Sequence, residues 1–152
     1  MSETARIADQ LRRAFSGKAW HGDSLLKILD GVTAAQAAAH PIANAHSIWE
    51  LVLHIAAWDG AVCRRLAGKA LTLSSKHNFP PVNDTSKTAW RQTLEHVRQV
   101  HDELVDAVAS FPGSRLGDRV PGKGHDICHM LHGVAQHELY HAGQIALLKK
   151  MV

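Results

Sequence analysis

Helical periodicity is the feature that most limits how this chain can fold. Four long segments repeat apolar residues every three or four positions, which is the pattern of an amphipathic helix. These segments cover residues 3–16, Ser47 to about Leu66, about Thr85 to Ser110, and about Asp126 to Lys150. The sequence shows neither a β-hairpin signal nor an internal repeat. We therefore expect an all-α four-helix bundle, with residues 1–152 forming a single domain.

Capping and turn residues mark where the helices begin and end. Ser47-Ile48-Trp49-Glu50 has the S-x-x-E spacing of a capping box and opens the second long helix. The segment SLLKIL predicts a short extra helix that ends near Gly31, and TAAQ at 33–36 predicts one further turn. Pro80 and Pro81 place a loop over residues 68–84.

The last helix contains HELYH at residues 137–141, which matches the H-E-x-x-H signature of zinc proteases. At about 100° per residue, His137 and His141 share one face of the helix with core residues such as Met130. That spacing lets both imidazoles reach one metal ion. The chain has 12 histidines, five of them between His125 and His141, and this enrichment also favours a metal site.

A third ligand is needed, because a catalytic metal site usually has three protein ligands and one open position. His54 lies on the inward face of the second long helix, together with Leu51 and Trp58. His101 lies on the inward face of the third, together with Leu104. Helix geometry does not choose between these two histidines.

The residues after the motif argue against a protease. A metzincin would continue as H-E-x-x-H-x-x-G-x-x-H, but this chain has Gln144 at the glycine position and Leu147 at the last histidine position. A thermolysin-like enzyme takes its third ligand from a later helix, and the sequence ends shortly after His141. An all-α chain also offers no sheet edge to an extended peptide. The motif therefore predicts a metal-binding helix with another purpose.

Two longer stretches resemble a known family. HSIWELVLHIAAWD at 46–59 and LHGVAQHELYHAGQIALLKK at 131–150, together with WHG at 20–22, resemble the DinB superfamily, which includes YfiT-like metal-dependent hydrolases. The resemblance spans nearly the whole chain. It implies a four-helix bundle, often dimeric, in which three histidines bind a divalent metal. Carried onto this chain, those ligands are His54, His137 and His141, and imidazole ligands suit zinc and nickel.

The resemblance also implies two kinds of function. Members with known activity are similar to thiol S-transferases and isomerases that use low-molecular-weight thiols, so we expect a metal-dependent hydrolase or a thiol S-transferase acting on a small molecule. The alternative is a non-enzymatic metal-binding protein with a role in stress or in protein interaction. An open metal position that faces a solvent-connected cavity would favour the enzyme.

Five further residues are candidates for the pocket or its surroundings. Glu138 is the candidate catalytic residue: it could accept a proton from water or orient a ligand imidazole, or it could pair with a lysine or arginine at the helix margin. Trp58 is expected to form a wall of the pocket, and Gln144 either to hydrogen-bond to water or to bridge helices. His101 and His21 are expected near the site or in packing roles.

The charge distribution, the apolar stretches and the cysteines limit the partners, the location and the thiol chemistry that we expect. The net charge is +3, but the basic residues are scattered, so nucleic acid is not an expected partner. No apolar stretch predicts a membrane span or a signal peptide, and the expected location is cytoplasmic. Cys63 and Cys128 each lie about 180° from the histidines of their own helices, so a thiol reaction would need an external thiol.

We predict that the protein is a homodimer. Leu139 and Ala146 form an apolar stripe on the last helix about 180–200° from His137, and an apolar stripe outside the core needs another surface to cover it. Light scattering at micromolar concentration should therefore give twice the mass of one chain. A monomer under those conditions would contradict the prediction.

Overall fold

A computed structural model describing residues 1–152 shows seven α-helices and no β-strand, so the all-α prediction is confirmed. The helices are α1 (Glu3–Phe15), α2 (Leu25–Leu29), α3 (Ala34–Ala38), α4 (Ile48–Leu66), α5 (Ser75–Asn78), α6 (Lys87–Ser110) and α7 (Ile127–Lys149). A short 3-10 helix covers Gly113–Arg115. None of the helices combines the length and the apolar character needed to cross a bilayer.

The four long helices, α1, α4, α6 and α7, form the predicted bundle. α4 packs against both α6 and α7, and α1 also packs against both of them, so α1 and α4 occupy opposite corners. The short helices α2 and α3 cover the bundle by packing on α7 and α4, respectively. One helix was not expected: α5 is a single turn inside the segment 68–84 that the sequence indicates as a loop.

The helix ends follow the local signals in the sequence. The Ser47 side chain accepts a hydrogen bond from the backbone N–H of Glu50, and the Glu50 carboxylate accepts one from the backbone N–H of Ser47 at 2.8 Å. Thr33 and Gln36 form the same reciprocal pair at the start of α3. Gly68 follows the C-terminus of α4 with a φ of +85°, a conformation that favours glycine. The start of α4 is therefore fixed, and with it the position of His54 two turns later.

The apolar core is divided into two parts. One cluster of 17 buried residues fills the end of the bundle formed by α2, α3 and the first half of α4. A second cluster of 13 fills the end formed by α1 and the first half of α7. Along α4, α6 and α7, the residues between the two clusters include Asp59, His101 and Glu138, all of them at most 1% exposed. A buried polar layer thus crosses the middle of the bundle.

Leu104 on α6 is completely buried in the second cluster, so Leu104→Ala should lower the free energy of unfolding by about 2–5 kcal/mol. The loss combines the transfer free energy of the removed atoms with the cavity left behind. Leu147→Ala makes the same chemical change where the residue is 58% exposed, and should cost no more than about 0.5 kcal/mol. Denaturant unfolding followed by circular dichroism measures both; similar losses would contradict this description of the core.

Candidate metal centre

Three histidines from two helices converge at one point. α4 supplies His54, and α7 supplies His137 and His141 on consecutive turns. The Nε2 atom of His137 lies 2.9 Å from Nε2 of His54 and 3.1 Å from Nε2 of His141. His54 and His141 are buried, while His137 is half-buried. The structure thus brings the three expected ligands together, whereas His101 lies in a different cluster.

The hydrogen bonds of the outer ring nitrogens orient two of these rings. Nδ1 of His54 donates to the backbone oxygen of Asn78 at 2.6 Å, and Nδ1 of His141 donates to Oε1 of Gln144 at 2.6 Å. A carbonyl oxygen can only accept, so the proton of each neutral ring is on Nδ1. Each Nε2 atom therefore turns a lone pair toward the point of convergence, as a metal ligand must.

Burial keeps the three imidazoles neutral. It lowers the pKa of His54 and of His141, and it lowers the pKa of His137 to about 4, with smaller contributions there from His141 and His54. A protonated ring cannot ligate a metal, so these shifts preserve the ligating form at neutral pH.

The donor set fits a divalent ion. Two Nε2 lone pairs face a third Nε2 atom that carries at most one proton, and no other protein donor contacts them. The measured Nε2 separations of 2.9 and 3.1 Å are short enough for the three nitrogens to reach one ion at about 2.1 Å each. The Nδ1 atom of His137 is buried without a hydrogen-bond partner. His54, His137 and His141 are therefore the residues that would hold the metal.

The segment that ends α5 fixes His54 from outside. Phe79 stacks on the His54 ring with 4.0 Å between ring centroids, and His46 stacks on Phe79 at 3.8 Å. The side-chain oxygen of Asn78 accepts a hydrogen bond from Nε1 of Trp58 at 2.8 Å. Asn78 thus positions a predicted ligand with its backbone and the neighbouring tryptophan with its side chain. Sequence reasoning gave neither Asn78 nor Phe79 a role, because a backbone acceptor has no residue signature.

A cavity of about 510 Å³ opens onto the three histidines. Trp58 and Tyr140 contribute aromatic surface, and Arg65 and Lys123 contribute positive charge, while no carboxylate lines the cavity. Both cations are held in place by the loop that follows α4. The guanidinium of Arg65 donates to the backbone oxygen of Leu71, and Nζ of Lys123 donates to Oγ1 of Thr72 at 2.8 Å.

The other residues considered from the sequence differ in where they lie relative to the cavity. Trp58 lines the cavity as expected. Gln144 accepts the hydrogen bond from His141, so its carboxamide positions a ligand. His21 lies at a separate cavity of about 840 Å³ beside α1. Burial raises the pKa of the Cys63 thiol to about 11, and neither cysteine joins a group of potential ligands.

Glu138 does not line the cavity. Its Oε2 atom lies 3.6 Å from Nδ1 of His101, which lies at the same distance from Oδ2 of Asp59. Glu138 makes no ion pair with lysine or arginine, and burial followed by the nearby Asp59 carboxylate raises its pKa well above the usual value. Asp59 was not among the sequence candidates, since a single acidic residue within a helix usually faces solvent.

Replacing two of the three converging histidines should remove one ion per chain. We expect His137→Ala combined with His141→Ala to lower the zinc content of the purified protein by one equivalent, because a single remaining imidazole cannot retain the ion. His132→Ala is the matched control, since His132 is exposed on the same helix outside the cavity. Elemental analysis gives the content; an undiminished content in the double variant would contradict the site.

Comparison with known proteins agrees with this architecture. The family model described as the DinB superfamily matches residues 19–145, which include all three converging histidines. Comparison with curated proteins and with solved structures gave no match. A buried group of three histidines in an all-helical chain fits a metal-binding protein of this kind. Because the match covers most of its length, the chain belongs to the DinB superfamily.

Proposed function

We propose that this protein is a metal-dependent enzyme that transfers a small anionic thiol to an electrophile. The observation that carries the proposal is the cavity, which joins three neutral imidazoles to two cationic side chains and contains no carboxylate. The metal is a divalent ion, zinc or nickel, since both suit imidazole ligands. When bound, it supplies Lewis acidity, which lowers the pKa of a coordinated thiol or water molecule.

The charges on the cavity wall favour an anionic substrate. Arg65 and Lys123 are the permanently charged side chains among the lining residues, and both are positive. Hydrogen bonds to the 71–72 segment hold both side chains in place, so little ordering is required when a ligand arrives. A carboxylate-bearing substrate would therefore be attracted to the cavity and oriented by these two cations.

Thiol transfer fits these residues better than hydrolysis. Hydrolysis benefits from a general base within hydrogen-bond reach of water. Glu138, the carboxylate next to His137 in sequence, faces His101 in the interior, and no other carboxylate reaches the cavity. A thiol needs less help, because its ordinary pKa of about 8.5 is already far below that of water. An external thiol is needed, since burial raises the pKa of Cys63.

A substrate screen with the zinc- and nickel-loaded protein tests the proposal. We expect turnover of an electrophile such as an alkyl halide or epoxide with carboxylate-bearing thiols, and none with simple esters and amides. Chelation should abolish turnover while circular dichroism still shows a helical bundle, because four packed helices bury a core without a metal. Unfolding on chelation would indicate a structural ion, and ester hydrolysis without thiol transfer would favour the hydrolase.

Lys123→Met tests whether the cavity prefers an anionic thiol, independently of whether the reaction occurs. It should raise KM for an anionic thiol about tenfold, equivalent to about 1.4 kcal/mol of binding energy, and leave KM for neutral 2-mercaptoethanol unchanged. Lys150→Met is the matched control, because Lys150 is exposed and outside the cavity. Equal effects on both thiols would contradict an electrostatic role for Lys123.

A further inference from the structure

The polar layer in the middle of the bundle has unusual chemistry for a protein interior. Asp59 on α4, His101 on α6 and Glu138 on α7 are each at most 1% exposed. None of the carboxylate oxygens and neither ring nitrogen of His101 has a hydrogen-bond partner. A buried polar atom without a partner costs about 1–3 kcal/mol, and a charged one costs more. Six such atoms within one cluster indicate that a binding partner belongs there.

The protein itself does not supply that partner. His101 is the only basic group within 4.0 Å of either carboxylate, and its Nδ1 atom lies 3.6 Å from both. That distance exceeds the range of a hydrogen bond, which ends near about 3.2 Å for N–H···O. The single Nδ1 atom that faces both carboxylates could in any case donate only one hydrogen bond. The cluster is therefore too open for direct hydrogen bonding, and His101 alone leaves carboxylate oxygens without a partner.

We propose that Asp59, His101 and Glu138 form a second divalent-cation site in the interior of the bundle. The three ligand atoms lie within 4.8 Å of one another. A tetrahedral zinc ion about 2.1 Å from each ligand separates the ligand atoms by about 3.4 Å, close to the measured 3.6 Å. Two carboxylates also balance the charge of one divalent ion, so the filled site would be electrically neutral.

The surrounding packing prepares the site. His101 stacks on Phe15 of α1 with 3.9 Å between centroids and 7° between ring planes, which fixes the imidazole. The apolar clusters on either side exclude water and favour the pairing of opposite charges. All four long helices thus contribute to the site or its wall. The site would be loaded when the chain folds, because nothing in the cluster is open to solvent.

Metal counting after refolding tests this site independently of the proposed activity. The protein is unfolded in a chelator, refolded with excess ZnCl₂, and passed over a column containing a weak chelator before elemental analysis. We expect two ions per chain in the wild type and one in Asp59→Asn combined with Glu138→Gln, whose amides preserve shape and remove the charge. Asp102→Asn with Glu103→Gln should retain two, since both residues are exposed on α6. Equal zinc in the wild type and the Asp59/Glu138 variant would overturn the proposal.

A second variant decides the question if those amides prevent folding. The variant His137→Ala with His141→Ala lacks the three-histidine site and leaves the polar layer intact. It should retain one chelator-resistant ion, and adding His101→Gln should remove that ion. A zinc-free protein from the first combination would overturn the proposal, as would an ion that persists after His101 is replaced. Either result would leave the three-histidine site and its activity unaffected.

Discussion

Every lone pair that this bundle buries must meet a donor or a cation, and the arrangement of α4 and α7 follows from that requirement. His54 and His141 direct their outer nitrogens to carbonyl oxygens, which leaves two inner lone pairs facing His137. No protein group completes this arrangement, whereas a divalent ion would. The apolar clusters stabilise the bundle. The converging Nε2 atoms explain why polar residues are retained in its interior.

Residues outside the three histidines position the candidate metal centre. Asn78 ends the single turn α5 and Phe79 follows it, and both contact His54. Gln144 lies three residues after His141 on the same helix and accepts a hydrogen bond from its Nδ1 atom. One ligand is therefore positioned by a loop and another by its own helix. A change in the 75–79 segment would alter the metal centre and the Trp58 wall of the cavity together.

Local signals in the sequence predicted the fold well. Caps such as Ser47 with Glu50 and the Pro80-Pro81 pair act within a few residues of themselves, and the helix bounds agree with the structure to within about two residues. The pairing of His137 with His141 also needs only the pitch of one helix. Choosing His54 over His101 needs the packing of three helices, because both face inward, and only the family resemblance favoured His54.

The least predictable residues were those whose partners lie on other helices. Glu138 is about 100° from His137 around α7, which suggests a helix margin in isolation. In the bundle, α4 and α6 cover that margin, and Glu138 becomes completely buried beside Asp59. The backbone oxygen of Asn78 is equally invisible in the sequence, since every residue carries one.

The positions of the polar residues along α4 and α7 affect how these two helices can be aligned against each other. An apolar seam can slip by a turn, about 5.4 Å, because one aliphatic side chain fits where another has been. Here α4 carries both His54 and Asp59, and α7 carries both His137 and Glu138. Slippage of either helix would disperse both polar clusters at once and place their buried polar groups against apolar side chains. The histidines and carboxylates in the interior therefore also select a single register for the helices that hold them.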